Sequence, residues 1–124
     1  MKITCGTDIV EIDRIKNDID NLGEKFKTKI FTKKEIDYCE SKKTQKYQHY
    51  AARFAAKEAV FKAISNVLEN KYSVAWKDIE ITSNKQNKPE VNLSGSQFKE
   101  IDCIDISLSH CKEYAIANVV VGWR

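Results

Sequence analysis

The stretch from residue 50 to 64 constrains the fold most, because it is rich in alanine and apolar around most of a helical circumference. Alanine is the strongest helix former, and a helix that is apolar nearly all round is normally buried. We therefore predict a central buried helix from about Tyr47 to Ile64. The remainder of the chain has to pack around it.

The chain before this helix is predicted to form one strand and two further helical segments. Residues 2–11 begin with β-branched and small residues, which favours a strand. Thr32 followed by Glu35 has the form of a capping box and predicts a helix that runs to about Lys42. Between them an apolar stripe at spacings of three and four predicts a helix interrupted at Gly23. The stripe consists of Ile12, Ile15, Ile19, Leu22 and Phe26.

The chain after the central helix is predicted to consist mainly of strands. Ser94 and Gln97 have the spacing to cap a short helix among them. The predicted strands run over residues 76–82, 89–93, 104–108 and 114–121, with polar turns at 84–88 and 110–113. With helices early and strands late, the fold class is α+β. A length of 124 residues and a 42% hydrophobic fraction predict a single domain over residues 1–124.

Composition also limits where the protein works. A carboxylate at Asp8 comes before any run long enough for a signal-peptide core, and no apolar stretch is long enough to span a bilayer. We therefore expect a cytoplasmic protein with no membrane partner. The cysteines form no C-x-x-C motif and have no zinc-site spacing with His49 or His110, so that we expect reduced, mostly structural thiols. They are Cys5, Cys39, Cys103 and Cys111.

Residues 25–46, the lysine-rich segment, carry eight lysines against only Glu35, Asp37 and Glu40. One interpretation is a solvated basic face, and another is a docking surface for an acidic partner. Nucleic acid is one such partner, but arginine is scarce here and few aromatic residues are interleaved. A nucleic-acid-binding domain without chemistry would also leave Asp8 and Glu58 unexplained. An acidic protein fits the segment as well, and we expect no nucleic-acid partner.

Charged residues in apolar surroundings mark the candidate site. Asp8 stands within the first predicted strand, where an ionised carboxylate needs a hydrogen bond, an ion pair or a metal. Glu58 and Lys62, four residues apart, share a face of the central helix, which also carries Arg53 and Lys57. A structural interpretation makes Glu58 and Lys62 an ordinary helix ion pair. A functional one makes the group a phosphate site, since magnesium prefers one or two carboxylates together with phosphate oxygens.

A second polar group, Ser107-Leu-Ser-His110, lies at a predicted strand end. It does not fit a serine hydrolase, because neighbouring strand residues point to opposite faces and the nucleophile motif G-x-S-x-G is absent. His110 is then either a structural histidine or a donor to a phosphate or nucleotide at the rim of a site.

Three blocks of sequence together resemble one enzyme family. The first covers residues 6–15 (GTDIVEIDRI) and the second residues 53–63 (RFAAKEAVFKA). The third is Ser-Leu-Ser-His at 107–110, followed by Tyr-Ala-Ile-Ala at 114–117. In this order, and on a chain of this length, they resemble holo-acyl-carrier-protein synthase, the small bacterial type of 4'-phosphopantetheinyl transferase. The resemblance runs nearly from end to end.

The resemblance implies transfer of the 4'-phosphopantetheine arm from coenzyme A to a serine of apo acyl carrier protein. Adenosine 3',5'-bisphosphate is released, and the product supports fatty acid biosynthesis. Asp8 and Glu58 match the magnesium ligands of the family, and Lys62 matches a lysine that contacts the diphosphate. Arg53 and His110 match positions near the nucleotide and phosphates of the coenzyme. The base for the serine stays open between a water held by the metal and a carboxylate of Asp8 or Glu58.

The resemblance also implies partners and an assembly. Arg14 matches a residue of the helix that docks the acidic carrier protein, and the lysine-rich segment can assist it. Family members of this length are trimers, with early helices packed on a mainly antiparallel sheet and active sites between protomers. One departure is Asn87 before Lys88-Pro89, where the family often has glycine; asparagine tolerates the left-handed backbone, so that we expect the turn to survive. An inactive homologue would be expected to lose the metal carboxylates, and this chain keeps both.

Overall fold

The computed structural model describes residues 1–65, 67–68 and 74–124. Its α-helices are α1 (Ile12–Leu22), α2 (Glu24–Ile30), α3 (Lys33–Glu40) and α4 (Lys46–Ile64). Its strands are β1 (Lys2–Glu11), β2 (Ile79–Ser83), β3 (Pro89–Leu93), β4 (Ile101–His110) and β5 (Tyr114–Trp123). Short 3₁₀ turns occupy Lys43–Gln45, Trp76–Asp78 and Ser96–Phe98. The α+β class predicted from the sequence is confirmed.

The strands form two antiparallel sheets. The larger one has the order β1-β5-β4, and β2 pairs with β3 in a separate hairpin. In the larger sheet Asp8 lies opposite Ala117, which in turn pairs with Leu108. The β4–β5 hairpin therefore pairs, through β5, with the part of β1 that carries Asp8.

Helix α4 is the centre of the core, as its alanine content predicts. It packs across β1 and β5 and also contacts α1, α3 and β2. Alanine side chains keep the helix close to the sheet, and the helix meets β1 most closely at Gly6. A side chain at Gly6 would collide with the backbone carbonyl oxygen of Ala59 and would lie 2.9 Å from the backbone nitrogen of Ala63. Only glycine permits this approach.

The face of the larger sheet turned away from α4 carries several exposed apolar side chains on β1 and β5. Ile3 is 65% exposed, Ile9 60% and Val120 50%. Ile9 pairs with Ile116 and Cys5 with Val120, and the exposed Thr7–Asn118 pair, joined by a side-chain hydrogen bond of 2.6 Å, lies between them on the same face. An apolar sheet face of this kind is unusual for a protein surface that stays in water.

Several boundaries differ from those predicted. Helix α1 ends at Leu22, so that the predicted interruption at Gly23 (φ 62°) is confirmed, but Leu22 is 57% exposed and does not belong to the buried stripe. Residues 76–78 form a 3₁₀ turn instead of strand, because the Asp78 carboxylate accepts a hydrogen bond from the Ala75 amide at 2.8 Å. The short helix near residue 97 begins after Gly95 and has no side-chain cap from Ser94.

Other local predictions are confirmed. Thr32 and Glu35 form both hydrogen bonds of the capping box. The turn before β3 places Asn87 in the left-handed region (φ 62°), and the Asn84 side chain accepts hydrogen bonds from the Gln86 and Lys88 amides. Asn87 thus adopts the left-handed conformation, and the turn forms as expected.

The cysteines are free thiols, but only Cys39 is buried. Burial raises the pKa of the Cys39 thiol to about 12. The expectation of mostly structural thiols is therefore wrong for the exposed Cys5, Cys103 and Cys111. Within the described ranges, no helix is long and apolar enough to cross a bilayer.

Candidate active site

The close crossing at Gly6 brings the two predicted carboxylates together. Asp8 lies two residues beyond Gly6 on the same face of β1, and Glu58 directly precedes Ala59 on α4. The side chain of Asp8 is only 17% exposed, and Glu58 is half-buried. The two acids lie near the contact of β1 with α4.

The charges of the two carboxylates and of their basic neighbours act on one another. Burial and the Asp8 charge raise the pKa of Glu58, whereas the positive charges of Lys62 and Arg14 oppose that rise. Arg14 on α1 is exposed to solvent, and its charge still reaches Glu58. The site therefore combines two acids that repel each other with two basic groups around them.

Lys62 occupies the centre of this group. Its Nζ lies 3.0 Å from Asp8 Oδ1 and donates a hydrogen bond to the Thr7 carbonyl oxygen, also at 3.0 Å. Among the ion pairs of the described residues, Lys62 is paired with Asp8 and not with Glu58. The structural interpretation of Glu58 and Lys62 as a simple helix ion pair is thus wrong.

The donor set fits a divalent cation that keeps water or phosphate ligands. In the described part of the chain, no group of three or more histidine, cysteine or carboxylate side chains is arranged for a metal. Asp8 and Glu58 are two carboxylates whose mutual repulsion a cation would relieve. Magnesium commonly binds proteins through only one or two carboxylates, because substrate phosphates and water complete its shell.

Arg53 lies in a second cluster, apart from the carboxylates. It is 3% exposed, and its guanidinium carbon stands 4.0 Å from the centroid of the Tyr38 ring. Its terminal nitrogen donates a long hydrogen bond of 3.4 Å to Ser83 Oγ, and its Nε is buried without a hydrogen-bond partner among the described residues. A cavity of about 330 Å³ opens beside it, lined also by Lys34 and Asn84.

His110 joins this second cluster through His49. The His49 ring packs edge-on against Tyr38, with centroids 5.5 Å apart, and lies 6.4 Å from the His110 ring. Partial burial, with the charges of Arg53, Lys42 and His110, lowers the pKa of His49 to about 4. His110 itself is exposed and lines an open groove of about 750 Å³ together with Lys16 and Lys112. The groove and the cavity lie on either side of one basic region, around Arg53 and His110.

The two clusters do not meet within one protomer. Arg53 precedes Glu58 by five residues, so that their side chains leave α4 about 140° apart. Glu58 faces β1 and α1, whereas the contacts of Arg53 come from α3 and β2. Sequence reasoning predicted Arg53 and His110 but missed Tyr38, His49 and Ser83. His49 is one helical turn before Arg53, and this was the only available signal.

Comparison with known proteins identifies the family. Residues 4–119 match the 4'-phosphopantetheinyl transferase superfamily. A holo-[acyl-carrier-protein] synthase of Ruminiclostridium cellulolyticum is 49% identical, over 98% of this chain and 93% of that protein. The chain belongs to the holo-acyl-carrier-protein synthase family. The synthase of Chlamydia muridarum is 46% identical, over 93% of this chain and 90% of its own length.

Solved holo-acyl-carrier-protein synthases share the fold. The enzyme of Bacillus anthracis, in complex with coenzyme A (3',5'-ADP), is 34% identical with a TM-score of 0.78, covering 95% of this chain and 94% of that one. The enzyme of Helicobacter pylori, in complex with coenzyme A, is 31% identical with a TM-score of 0.81, covering 95% and 99%. The family resemblance seen in the sequence is confirmed.

Proposed function

We propose that this protein transfers 4'-phosphopantetheine from coenzyme A to a serine of an apo acyl carrier protein in the cytoplasm, in support of fatty acid biosynthesis. The serine oxygen forms a bond to the β-phosphorus of coenzyme A, and the bond from that phosphorus to the bridging oxygen breaks. Adenosine 3',5'-bisphosphate leaves, and the serine proton passes to a base. The observation that carries the proposal is the Asp8–Glu58 pair with Lys62, in a chain of this family.

Asp8 and Glu58 are the residues that would hold magnesium. When bound, the ion supplies Lewis-acid stabilisation of the charge that develops on the pyrophosphate. Lys62 neutralises Asp8 in the free protein, and its side chain is 54% exposed, so that it can turn toward a pyrophosphate oxygen of the substrate. The reaction then depends mainly on positioning and on charge neutralisation.

Arg53 and His110 would bind the nucleotide end of coenzyme A. The buried Nε of Arg53 lacks a hydrogen-bond partner among the described residues, and a buried donor of this kind is strongly stabilised by an anionic acceptor. Ser83, Asn84 and Lys34 line the same cavity and add polar groups to it. A phosphate of the nucleotide supplies the acceptor oxygens.

A trimer would reconcile the separation of the two clusters. Coenzyme A has to reach both the carboxylates and the basic region around Arg53. The side chains of Glu58 and Arg53 project from opposite sides of α4. In a trimer the Asp8 cluster of one protomer can face the Arg53 cluster of its neighbour. The apolar outer face of β1 and β5 supports this assembly, because Ile3, Ile9 and Val120 would then be covered.

Docking of the carrier protein would use Arg14 and the nearby basic surface. Helix α1 carries Arg14 and Lys16 but also three aspartates, so that most of the positive charge comes from the lysine-rich segment. Lys27 and Lys33 are engaged with Glu24, Glu40 and Asp37. Lys25 and Lys29 on α2 are exposed and appear in no ion pair among the described residues, which leaves them available to an acidic partner.

Arg14→Ala is expected to raise KM for the carrier protein by about tenfold and to leave KM for coenzyme A nearly unchanged. The reason is that Arg14 is an exposed charge on the docking helix. Steady-state kinetics with each substrate varied in turn would measure the two values. Asn17→Ala, an exposed change on the same helix, is the control. A larger effect on coenzyme A than on the carrier would remove Arg14 from the docking surface.

The experiment that tests the proposed function is the intact mass of an apo acyl carrier protein after incubation with this protein, coenzyme A and magnesium. We expect a gain of one phosphopantetheine arm, and no gain when EDTA is present. Modification of a serine-to-alanine carrier would contradict the assigned acceptor. No gain with several different carriers would contradict the proposal itself.

A further inference from the structure

Lys57 is a fully buried lysine that the proposed reaction does not use. Its side chain is 0% exposed, although it neighbours Glu58 in the sequence. The ammonium lies 2.8 Å from Glu35 Oε1. It also donates hydrogen bonds to three backbone carbonyl oxygens: Ile30 at 2.9 Å, Trp76 at 3.0 Å and Ile79 at 2.7 Å. One charged group thus joins α4 to the end of α2, to the turn before β2 and to β2 itself.

Glu35 completes this buried network from α3. It is 1% exposed, and its Oε1 accepts a hydrogen bond from the Thr32 amide at 2.8 Å in addition to the Lys57 contact. Its Oε2 accepts one from the Ile81 amide of β2 at 2.7 Å. Both carboxylate oxygens are therefore in use, and the pair ties α3, α4 and β2 together.

These are the same elements that supply Arg53 and its contacts. Arg53 lies one helical turn before Lys57 on α4, and Tyr38 lies one turn after Glu35 on α3. Ser83 lies two residues beyond Ile81, on the same face of β2. The stacking of Arg53 on Tyr38 and its hydrogen bond to Ser83 therefore depend on how three elements sit together, and the buried pair fixes that arrangement.

We propose that Lys57 and Glu35 are positioning residues that hold the Arg53 cluster in the geometry that binds the nucleotide phosphates of coenzyme A. The inference rests on the proposed function, since it assigns a role within the same coenzyme site. A buried ion pair is by itself weak evidence for a role in stability, because such pairs can often be replaced by uncharged groups of similar volume without loss of stability. Side chains around a binding site instead need support that locks their direction.

The test is the double variant Lys57→Met with Glu35→Gln, which removes both charges and nearly preserves volume. Changing only one partner would strand a buried charge and risk unfolding. We expect adenosine 3',5'-bisphosphate to bind about tenfold more weakly by calorimetry, and KM for coenzyme A to rise by a similar factor. The values of kcat and of KM for the carrier are expected to stay within about threefold of the parent protein, because the Asp8 cluster lies elsewhere.

The matched control is Lys33→Met with Asp37→Asn, which removes an exposed ion pair from the same helix α3. It should leave binding of adenosine 3',5'-bisphosphate unchanged. A folded Lys57/Glu35 double variant that binds the nucleotide normally, or one that loses kcat at constant KM, would overturn the positioning role alone. Failure of the parent protein to bind the nucleotide would overturn the proposed function and this inference with it.

Should circular dichroism show that the double variant does not fold, Lys57→Gln with Glu35→Gln replaces it, since this change also removes both charges together. The two amide groups keep a donor near the backbone carbonyl oxygens and an acceptor near the backbone amides of the buried network. The same weakening of nucleotide binding is expected, with kcat retained. Normal nucleotide binding by this second double variant, if folded, would refute the role.

Discussion

Asp8→Asn and Glu58→Gln are each expected to lower kcat/KM by at least about 10²-fold while the protein remains folded. The amides keep the shape of the side chains but cannot supply the negative charge that holds a divalent cation. Carrier modification followed by intact mass, over a range of magnesium concentrations, would measure the loss.

Glu58→Gln is expected to lose activity without losing stability. Burial and the Asp8 charge raise the pKa of Glu58, so that above this pKa the ionised carboxylate is less favourable in the folded protein than in the unfolded chain. With divalent ions removed at neutral pH, Glu58→Gln is therefore expected to melt no lower than the parent protein. Added magnesium should raise the melting temperature of the parent but not that of the variant.

The control for these changes is Asp37→Asn, which breaks a lysine–carboxylate ion pair of similar length, 2.8 Å against 3.0 Å for Asp8. Exposed pairs of this kind contribute little to stability, and full activity is expected. Near-normal turnover in either Asp8→Asn or Glu58→Gln would contradict the assignment of the two acids. A large loss of stability in Glu58→Gln would show that its charge serves the fold instead.

Gly6→Ala is expected to destabilise the fold by about 1–3 kcal/mol or more and to reduce activity as well. The added methyl group would meet the backbone of Ala59 and Ala63, which cannot move aside as a side chain can. Helix α4 has to shift away from β1, and that shift widens the gap between Asp8 and Glu58. Thermal melting and carrier modification would measure the two effects on one preparation.

Gly122→Ala provides the comparison, because it adds the same methyl group to the same sheet. There the new atom would meet the Cys103 sulfur, at the end of a side chain that can turn. A smaller loss of stability is expected. Ala59→Gly should not rescue Gly6→Ala, since the collision is with backbone. Equal stability of Gly6→Ala and the parent would refute the close approach.

Much of the fold could be predicted because it follows from local pattern. The alanine-rich run indicated α4, β-branched and small residues indicated β1, and Thr32 with Glu35 indicated the start of α3. The errors lie where one contact decides the outcome. The hydrogen bond from the Ala75 amide to Asp78 converts the start of a predicted strand into a 3₁₀ turn, and spacing cannot reveal it.

The candidate site could be predicted only in part, and the division has a physical basis. Asp8 was recognisable because a carboxylate in a strand needs a partner, and Glu58 and Lys62 because they share a helix face. Neither the Lys57–Glu35 pair nor the stacking of Arg53 on Tyr38 follows from spacing, since each joins elements distant in sequence. Of the four charged residues between 53 and 62, Arg53 and Lys57 face α3 and β2, whereas Glu58 and Lys62 face β1.

In the proposed trimer, the two clusters on opposite sides of α4 would give each protomer two unlike halves of a site. Assembly through such unlike surfaces is heterologous, and three copies can close it into a ring in which every half is used. Each active site would then form at a junction between two neighbouring chains, and no chain would be active alone. An Asp8 variant and an Arg53 variant, each inactive alone, would form intact junctions when assembled together, about a quarter of the total in an even random mixture. A chain that is defective in one half of the site would thus be complemented by a chain that is defective only in the other half.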